Sequence, residues 1–137
     1  MLQICLLFSG IGGFCFGFEA AGLKTLWAVD NNEAVIKTYG LNFQHVETIC
    51  DDIIKLNDKK TKLTPVDILH AGFPCQSFSV AGNRRGFDDP RGKVFFEILH
   101  LLVFLYPGKT FVIAFLCFNT MLYKPSGICD KFNSILK

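Results

Sequence analysis

The alternation of short apolar runs with segments of helical periodicity constrains the fold of this 137-residue chain more than any other feature. The segment Leu2–Phe8 (LQICLLF) is almost continuously apolar and ends at a Ser-Gly pair, which is typical of a buried parallel strand. Apolar residues at helical spacing follow over 12–21, and Gly22 is suited to end that helix. The pattern therefore predicts a strand, a tight turn and a helix in the first 22 residues.

Four further strands and two further helices are predicted by the same reasoning. The strands lie at 25–29, 46–49, 66–71 and 110–117, and the helices at 33–41 and 93–106. In the helix at 33–41, Ala34, Val35 and Tyr39 are expected on one side, and the polar segments 55–65 and 82–92 are expected to be loops. Alternating strands and helices indicate βαβ units. We predict a doubly wound, mostly parallel α/β sheet of order 3-2-1-4-5, with helices on both faces.

The composition excludes some classes of protein. Hydrophobic residues make up 50% of the chain and charged residues 19%, so an intrinsically disordered chain is excluded. A formal net charge of +2 neither indicates nor excludes a nucleic-acid partner. The apolar stretch 98–118 is interrupted at 107–109 by Pro-Gly-Lys, and each half is too short to span a membrane. A helix followed by a strand is expected there instead.

Cysteine usage points to a reducing compartment. None of the six cysteines forms a C-x-x-C motif or has zinc-finger spacing, so no metal site is predicted. The apolar N-terminus lacks a positively charged n-region, so no signal peptide is expected and the protein is predicted to be cytoplasmic with reduced thiols. Five cysteines are interpreted as small buried hydrophobes, at positions 5, 15, 50, 117 and 129.

Glycines and one acid mark a candidate ligand site. Gly10, Gly12 and Gly13 lie between the first strand and the first helix; we call residues 8–13 the glycine loop. Glycines there permit a tight turn and close approach of a ligand, and the helix N-terminus favours an anionic group. Asp30 ends the second strand twenty positions after Gly10, where a carboxylate can accept hydrogen bonds from ribose hydroxyls. The alternative is that Asp30 caps the following helix.

The predicted topology brings a thiol to the same place. The strand order reverses between strands 1 and 4, so the loops that follow these two strands face one crevice. The glycine loop follows strand 1, and Cys75 lies in the loop that follows strand 4. A thiol is nucleophilic as the thiolate and needs a favourable environment. Arg84, Arg85 and Arg91 could help to provide it or contact phosphates, and an ordinary solvated loop is the alternative.

Several stretches together carry a family resemblance. They are FSGIGGF at 8–14 with Glu19 and Gly22, Asp30, DDI at 51–53, GFPCQSFS at 72–79 and RGKVFFEI at 91–98. In this order and at this spacing they resemble the N-terminal part of a DNA cytosine-C5 methyltransferase of the bacterial restriction–modification type. The resemblance covers residues 1–107, and GFPCQSFS is its most specific element.

The resemblance implies S-adenosyl-L-methionine as the cofactor. It assigns the glycine loop to cofactor binding through Phe8, Gly10, Gly12 and Gly13, and it assigns Asp30 to the ribose hydroxyls. It further implies that adenine is contacted by three more residues, which are Asn31, Asp52 and Ile53.

The resemblance also implies a reaction and a partner. Pro74 and Cys75 match the catalytic dipeptide of the family, and the implied partner is double-stranded DNA with the target cytosine flipped out of the duplex. In such enzymes the thiolate adds to C6 of cytosine, and C5 takes the methyl group. Loss of the C5 proton then releases the thiol, so catalysis is covalent.

The pattern breaks after Pro107. The family's fifth strand ends in Glu-Asn-Val, and its Glu holds N3 of the cytosine. Here the strand reads KTFVIAFLCFNT, with Ala114 at the position of that Glu. We therefore expect residues 1–118 to form an incomplete catalytic core and residues 119–137 to be an unmatched tail of a truncated chain. The alternative is a small relative whose missing parts come from a second chain.

Three functions compete at this point. The first is a DNA cytosine-C5 methyltransferase, and the second is a non-catalytic remnant that binds S-adenosyl-L-methionine. The third is a nicotinamide-dependent oxidoreductase on the same scaffold, because fold does not determine function. GFPCQSFS argues against the third, since a dehydrogenase has no use for a thiol in that loop. Ala114 favours the second over the first.

Overall fold

The computed structural model describes residues 1–58, 62–72 and 90–105. Strands and helices alternate along these segments, as the sequence predicts. The strands are β1 (Gln3–Leu7), β2 (Lys24–Asp30), β3 (Glu47–Cys50) and β4 (Ile68–Ala71). The helices are α1 (Gly13–Ala20), α2 (Glu33–Asn42), α3 (Ile53–Asp58) and α4 (Pro90–Leu105).

The described strands form one parallel sheet of order β3-β2-β1-β4. Ile4 to Leu7 of β1 pair with Ile68 to Ala71 of β4, so the first and fourth strands are parallel neighbours. This confirms the predicted order for strands 1 to 4 and the reversal between β1 and β4. The predicted fifth strand lies outside the described residues.

Helices cover both faces of the sheet, which explains the continuous apolar runs of the central strands. Successive β1 residues enter two different core clusters: Cys5 and Leu7 face α3 and α4, whereas Ile4 and Leu6 face α1 and α2. The doubly wound α/β prediction is confirmed. β3 is the outer strand of the described sheet and its Cys50 is exposed, so the interpretation of that cysteine as a buried hydrophobe is wrong.

Two segments expected to be loops contain helix. Residues 53–58 form α3, whose Ile53 and Leu56 lie three positions apart and are both buried, while the basic side chains that suggested a loop lie between and after them. α4 begins at Pro90, inside the segment 82–92, because proline is well suited to the first helical position. From 62 to 65 the chain is irregular, and the Thr64 carbonyl accepts a hydrogen bond from Trp27 Nε1 at 2.8 Å.

Two helices show how local signals act. α1 ends as predicted at Gly22, whose φ is 84°; its N–H donates to the Glu19 carbonyl, and that of Leu23 donates to the Phe18 carbonyl, each at 3.0 Å. α2 buries Ile36 and Tyr39, and the prediction that Ala34 lies on the buried side is wrong.

Among the residues that the structure describes, no helix combines the length and apolarity needed to cross a membrane.

Candidate functional site at the carboxyl edge of the sheet

The glycine loop turns the chain sharply from β1 into α1. Its φ angles are positive at Phe8 (56°), Gly10 (58°) and Gly12 (104°). A left-handed conformation costs a residue with a side chain about 1–2 kcal/mol, so Phe8 is strained where the glycines are not. The Ser9 N–H donates to the Val29 carbonyl at 3.0 Å, which keeps the start of the loop attached to β2.

Asp30 joins the glycine loop to the end of β2. Its Oδ2 accepts a hydrogen bond from the Gly10 N–H at 3.0 Å, and its Oδ1 accepts one from the Asn32 N–H at 3.0 Å. The alternative that Asp30 caps α2 is wrong, because the cap is Asn32, whose Oδ1 accepts from the Val35 N–H at 3.2 Å. A carboxylate has about four lone-pair sites, so Asp30 can accept further hydrogen bonds from a ligand.

The chain after β3 supplies a second acid beside the first. The Asp51 N–H donates to the Asp30 carbonyl at 3.2 Å, so this loop continues the pairing of β2 with β3. Asp52 begins α3: its Oδ1 accepts from the Ile54 N–H at 2.9 Å. Its Oδ2 has no hydrogen-bond partner among the described residues. Ile53 is buried directly after it.

A pocket lies between the ends of β1, β2 and β3. The apolar part of its wall is formed by Leu7, Phe8, Val29 and Ile53. The polar part is formed by Asn31, Asp51 and Asp52. An apolar surface with a few polar groups at one side suits a flat, partly polar ring system. The structure thus brings together four residues that the sequence assigns to adenine and loop contacts, namely Phe8, Asn31, Asp52 and Ile53.

The remaining predicted loop residues lie next to this pocket. Gly10 donates to Asp30, Gly12 is the N-cap of α1, and Gly13 is the first residue of that helix. A Cβ placed on Gly10 or Gly13 would meet no atom within 4 Å, so the backbone is open to a ligand at both positions.

Two polar residues of the site were missed by the sequence analysis. Asp51 lines the pocket beside Asp52, although only the second acid was assigned a role. Ser9 is buried, and its Oγ has no hydrogen-bond partner within the described part of the chain. A buried hydroxyl without a partner costs free energy, which is a reason to expect a ligand there. The position of Ser9 between Phe8 and Gly10 in the glycine loop is the sequence feature that could have indicated its role.

His70 is a third residue that the sequence analysis did not single out. It lies on β4 opposite Leu6, and its ring packs against Phe14 and Phe18 of α1 with centroid distances of 4.4 and 5.3 Å. Its Nε2 has no hydrogen-bond partner among the residues that the structure describes. Burial lowers the pKa of His70, so the imidazole is held neutral.

The predicted catalytic dipeptide, Pro74 and Cys75, lies outside the described residues, as do Arg84, Arg85 and Ala114. The structure does describe Gly72, three positions before Cys75, whose N–H donates to the Leu7 carbonyl at 3.2 Å. The chain therefore leaves β4 beside the start of the glycine loop, at the strand-order reversal where ligand crevices form in such sheets.

Known proteins share this sequence and fold. Residues 2–113 match the family model of the C-5 cytosine-specific DNA methylase. The Type II methyltransferase M.Bsp6I of Bacillus sp. (strain RFL6) is 45% identical over 114 residues, which are 82% of this chain and 35% of that protein. The Type II methyltransferase M.HhaI of Haemophilus parahaemolyticus is 38% identical over 101 residues, which are 74% of this chain and 30% of that protein.

Solved structures of methyltransferases are similar to this chain in fold. The structure of the S. pombe Dnmt2 methyltransferase aligns with a TM-score of 0.56 and 30% identity, over 72% of this chain and 31% of that one. The chain thus spans about a third of the length of these relatives. The family model matches most of the chain, and the predicted motifs lie inside the matched region. The chain therefore belongs to the C-5 cytosine-specific DNA methylase family.

Proposed function

We propose that the glycine loop, Asp30 and the adjoining pocket bind S-adenosyl-L-methionine, and that this chain is the cofactor-binding part of a DNA cytosine-C5 methyltransferase. The observation that carries the proposal is Asp30, which ties Gly10 to the start of α2 and retains acceptor capacity between the pocket-lining residues Val29 and Asn31. Relatives named as methyltransferases imply a methyl donor. A nicotinamide-dependent oxidoreductase is not supported by any of them.

The residues present fit the three parts of this cofactor. The Asp30 carboxylate suits the ribose hydroxyls, as an acceptor beside the loop backbone. Asp52 Oδ2 and Asn31 suit the polar edge of adenine, and the apolar pocket wall suits its faces. When bound, the cofactor supplies a methyl group on a sulfonium centre.

The start of α1 suits the amino-acid part of the cofactor. The helix N-terminus favours a carboxylate, and the unpartnered Ser9 hydroxyl lies in the loop that leads to it. Ser9 can donate one hydrogen bond to such a carboxylate. This bond would remove the free-energy cost of burying the hydroxyl without a partner. The site thus combines an anion-binding end, a ribose acceptor and a flat pocket.

We propose Cys75, in the Pro74-Cys75 dipeptide, as the nucleophile, and duplex DNA as the partner. The Cys75 thiolate forms a bond from Sγ to C6 of a flipped cytosine, and C5 becomes nucleophilic and takes the methyl group. The C5 proton then leaves to a base, and the electron pair left behind expels the thiolate from C6. The proposal is supported by the GFPCQSFS motif and by the path of Gly72 beside the glycine loop.

We expect this chain alone to bind the cofactor without methylating duplex DNA. Ala114 stands where the family has the Glu that holds N3 of cytosine, and loss of one such preorganised group costs about 10²–10³ in rate. Tritiated methyl transfer to duplex DNA, measured for the chain and for Cys75→Ser, tests this expectation. Incorporation that depends on Cys75 would show that the Glu is dispensable and that this chain is itself the enzyme.

Calorimetric titration with S-adenosyl-L-methionine tests the binding site. Asp30→Ala should weaken binding by about tenfold or more, because it removes charge-assisted hydrogen bonds worth about 1.5–3 kcal/mol each. Asp67→Ala is the matched control: its carboxylate accepts from the Gln3 N–H at 2.8 Å, at the opposite edge of the same sheet. Equal weakening by both variants, or tighter binding of a nicotinamide dinucleotide, would reject the assignment.

A further inference from the structure

We propose that Phe43, which follows α2, is a positioning residue for the glycine loop: its ring holds Gly12 in the conformation that presents the Gly10 N–H to Asp30. The proposal rests on the cofactor site proposed above. It adds a residue that is neither a pocket-lining residue nor part of the glycine loop. Nothing in the sequence motifs assigns a role to Phe43.

The Phe43 ring lies directly on the Cα of Gly12. A Cβ built on Gly12 would lie 2.9 Å from Phe43 Cδ2 and 3.2 Å from Cζ, and would overlap Cε2. Gly10 and Gly13 show no such neighbour within 4 Å. Gly12 is therefore glycine for two reasons, its φ of 104° and the ring that occupies the space of a side chain.

Phe43 is itself anchored and cannot easily move aside. Its N–H donates to the Tyr39 carbonyl at 2.9 Å, and its carbonyl accepts from the Val46 N–H at 3.0 Å. Its ring packs on the Tyr39 ring with a centroid distance of 4.9 Å, and Tyr39 is fully buried in the core between the sheet and α1 and α2. Because the ring is fixed against the core, it also fixes the position of Gly12.

Gly12 in turn controls the direction of the loop and of α1. Its N–H donates to the Ser9 carbonyl at 3.3 Å, and its carbonyl accepts from the Phe16 N–H at 3.0 Å in the first turn of the helix. A glycine has access to many backbone conformations, so a loop with several glycines is not preorganised by its own sequence. A fixed ring against Gly12 removes alternatives before a ligand arrives, and preorganisation of this kind raises affinity.

The connection runs through one helix. Asp30 and Asn31, which lie at the site, directly precede the N-cap of α2, and Phe43, which contacts Gly12, is the C-cap of the same helix. The acid and the ring that shape the two sides of the Gly10–Asp30 hydrogen bond therefore flank the two ends of the same ten-residue helix. A displacement of α2 would disturb both sides at once.

Hydrogen exchange of the Gly10 amide in the ligand-free chain, followed by NMR, tests the positioning directly. Phe43→Ala should speed exchange of this amide by about tenfold or more relative to wild type, because the loop opens locally. Ile36→Ala is the matched control, since it truncates a buried side chain of the same helix and the same core cluster. Equal exchange of Gly10 in the two variants would overturn the proposal and leave Phe43 as ordinary core.

A comparison of double variants tests the contact. Phe43→Ala should recover part of the melting temperature that Gly12→Ala loses, because it makes room for the new methyl group. It should recover none of the loss caused by Gly22→Ala, since Gly22 has a similarly positive φ of 84° and open space around it. Additive losses for the Gly12 pair would show that the ring does not restrict Gly12, and would overturn the proposal.

Calorimetry separates this proposal from the proposed function. If the cofactor site is correct, Phe43→Ala should weaken S-adenosyl-L-methionine binding by about tenfold while Ile36→Ala leaves it unchanged. A wild-type chain that binds no S-adenosyl-L-methionine would reject the proposed function, and the exchange and melting experiments would still decide the role of Phe43. Wild-type affinity in the Phe43→Ala chain would overturn the positioning role.

Discussion

Protonation of the buried His70 imidazole should make this fold sensitive to mild acid. His70 is 1% exposed, its ring lies against Phe14 and Phe18, and its Nε2 has no hydrogen-bond partner in residues 1–58, 62–72 and 90–105. Burial lowers its pKa from the ordinary value of 6.5. In the unfolded chain the imidazole takes up a proton near that value, whereas the folded state excludes the proton until a lower pH is reached.

The sign and size of the effect follow from this difference. Below pH 6.5 the unfolded state binds more protons than the folded state, so the free energy of unfolding falls as the pH falls. The loss amounts to about 1.4 kcal/mol per pH unit at most, and it stops once the folded state also takes up the proton. Between pH 7.5 and 5.5 we therefore expect His70 to contribute a loss of at most about 1.4 kcal/mol.

Urea unfolding at pH 7.5 and 5.5, followed by Trp27 fluorescence, measures this loss. Wild type should lose more stability than His70→Leu over this interval, by at most about 1.4 kcal/mol, because leucine has a similar volume and does not titrate. The same pH dependence in wild type and His70→Leu would refute the reasoning, because it would show that His70 is not held neutral by the fold.

Two further predictions concern the core and the thiols. Leu56→Ala should lower the free energy of unfolding by about 2–5 kcal/mol in urea denaturation, whereas Ile54→Ala, at a site 59% exposed, should change it by less than about 0.5 kcal/mol. Similar losses in both variants would contradict the orientation of α3. Among the three cysteines that the structure describes, Cys50 should react first with a thiol reagent, as mapped by mass spectrometry, because burial raises the pKa of Cys5 and of Cys15 and blocks access to both. Reaction of Cys5 in the folded chain at the rate of Cys50 would contradict the burial of β1.

Most of the described strands and helices could be predicted from local sequence signals. The predicted strand at Leu2–Phe8 forms as β1 (Gln3–Leu7), and the glycine at position 22 ends α1, because each signal acts within a few residues. The short helix α3 escaped prediction. Its six residues contain only one buried i, i+3 pair, Ile53 and Leu56. The Lys residues around that pair made the segment resemble a solvated loop.

The candidate site divides in the same way. The glycine spacing and the acid twenty positions later are sequence features, and with the strand-order rule they were enough to place Gly10 near Asp30. The sequence left open whether Asp30 or another residue caps α2, since both Asp30 and Asn32 are suitable residue types. The structure assigns the cap to Asn32 and leaves Asp30 at the site.

The sequence by itself determined the fold class, the order of the first four strands and the family. These are set by periodicity, by glycine and proline stereochemistry and by motifs, all of which act over short stretches of chain. Only the tertiary structure decided that Phe43 lies on Gly12 and that His70 is buried under Phe14 and Phe18. It also decided that the Ser9 hydroxyl finds no hydrogen-bond partner among the described residues. Such contacts join residues on different elements, and they depend on how helices cross the sheet, which no short window of sequence specifies.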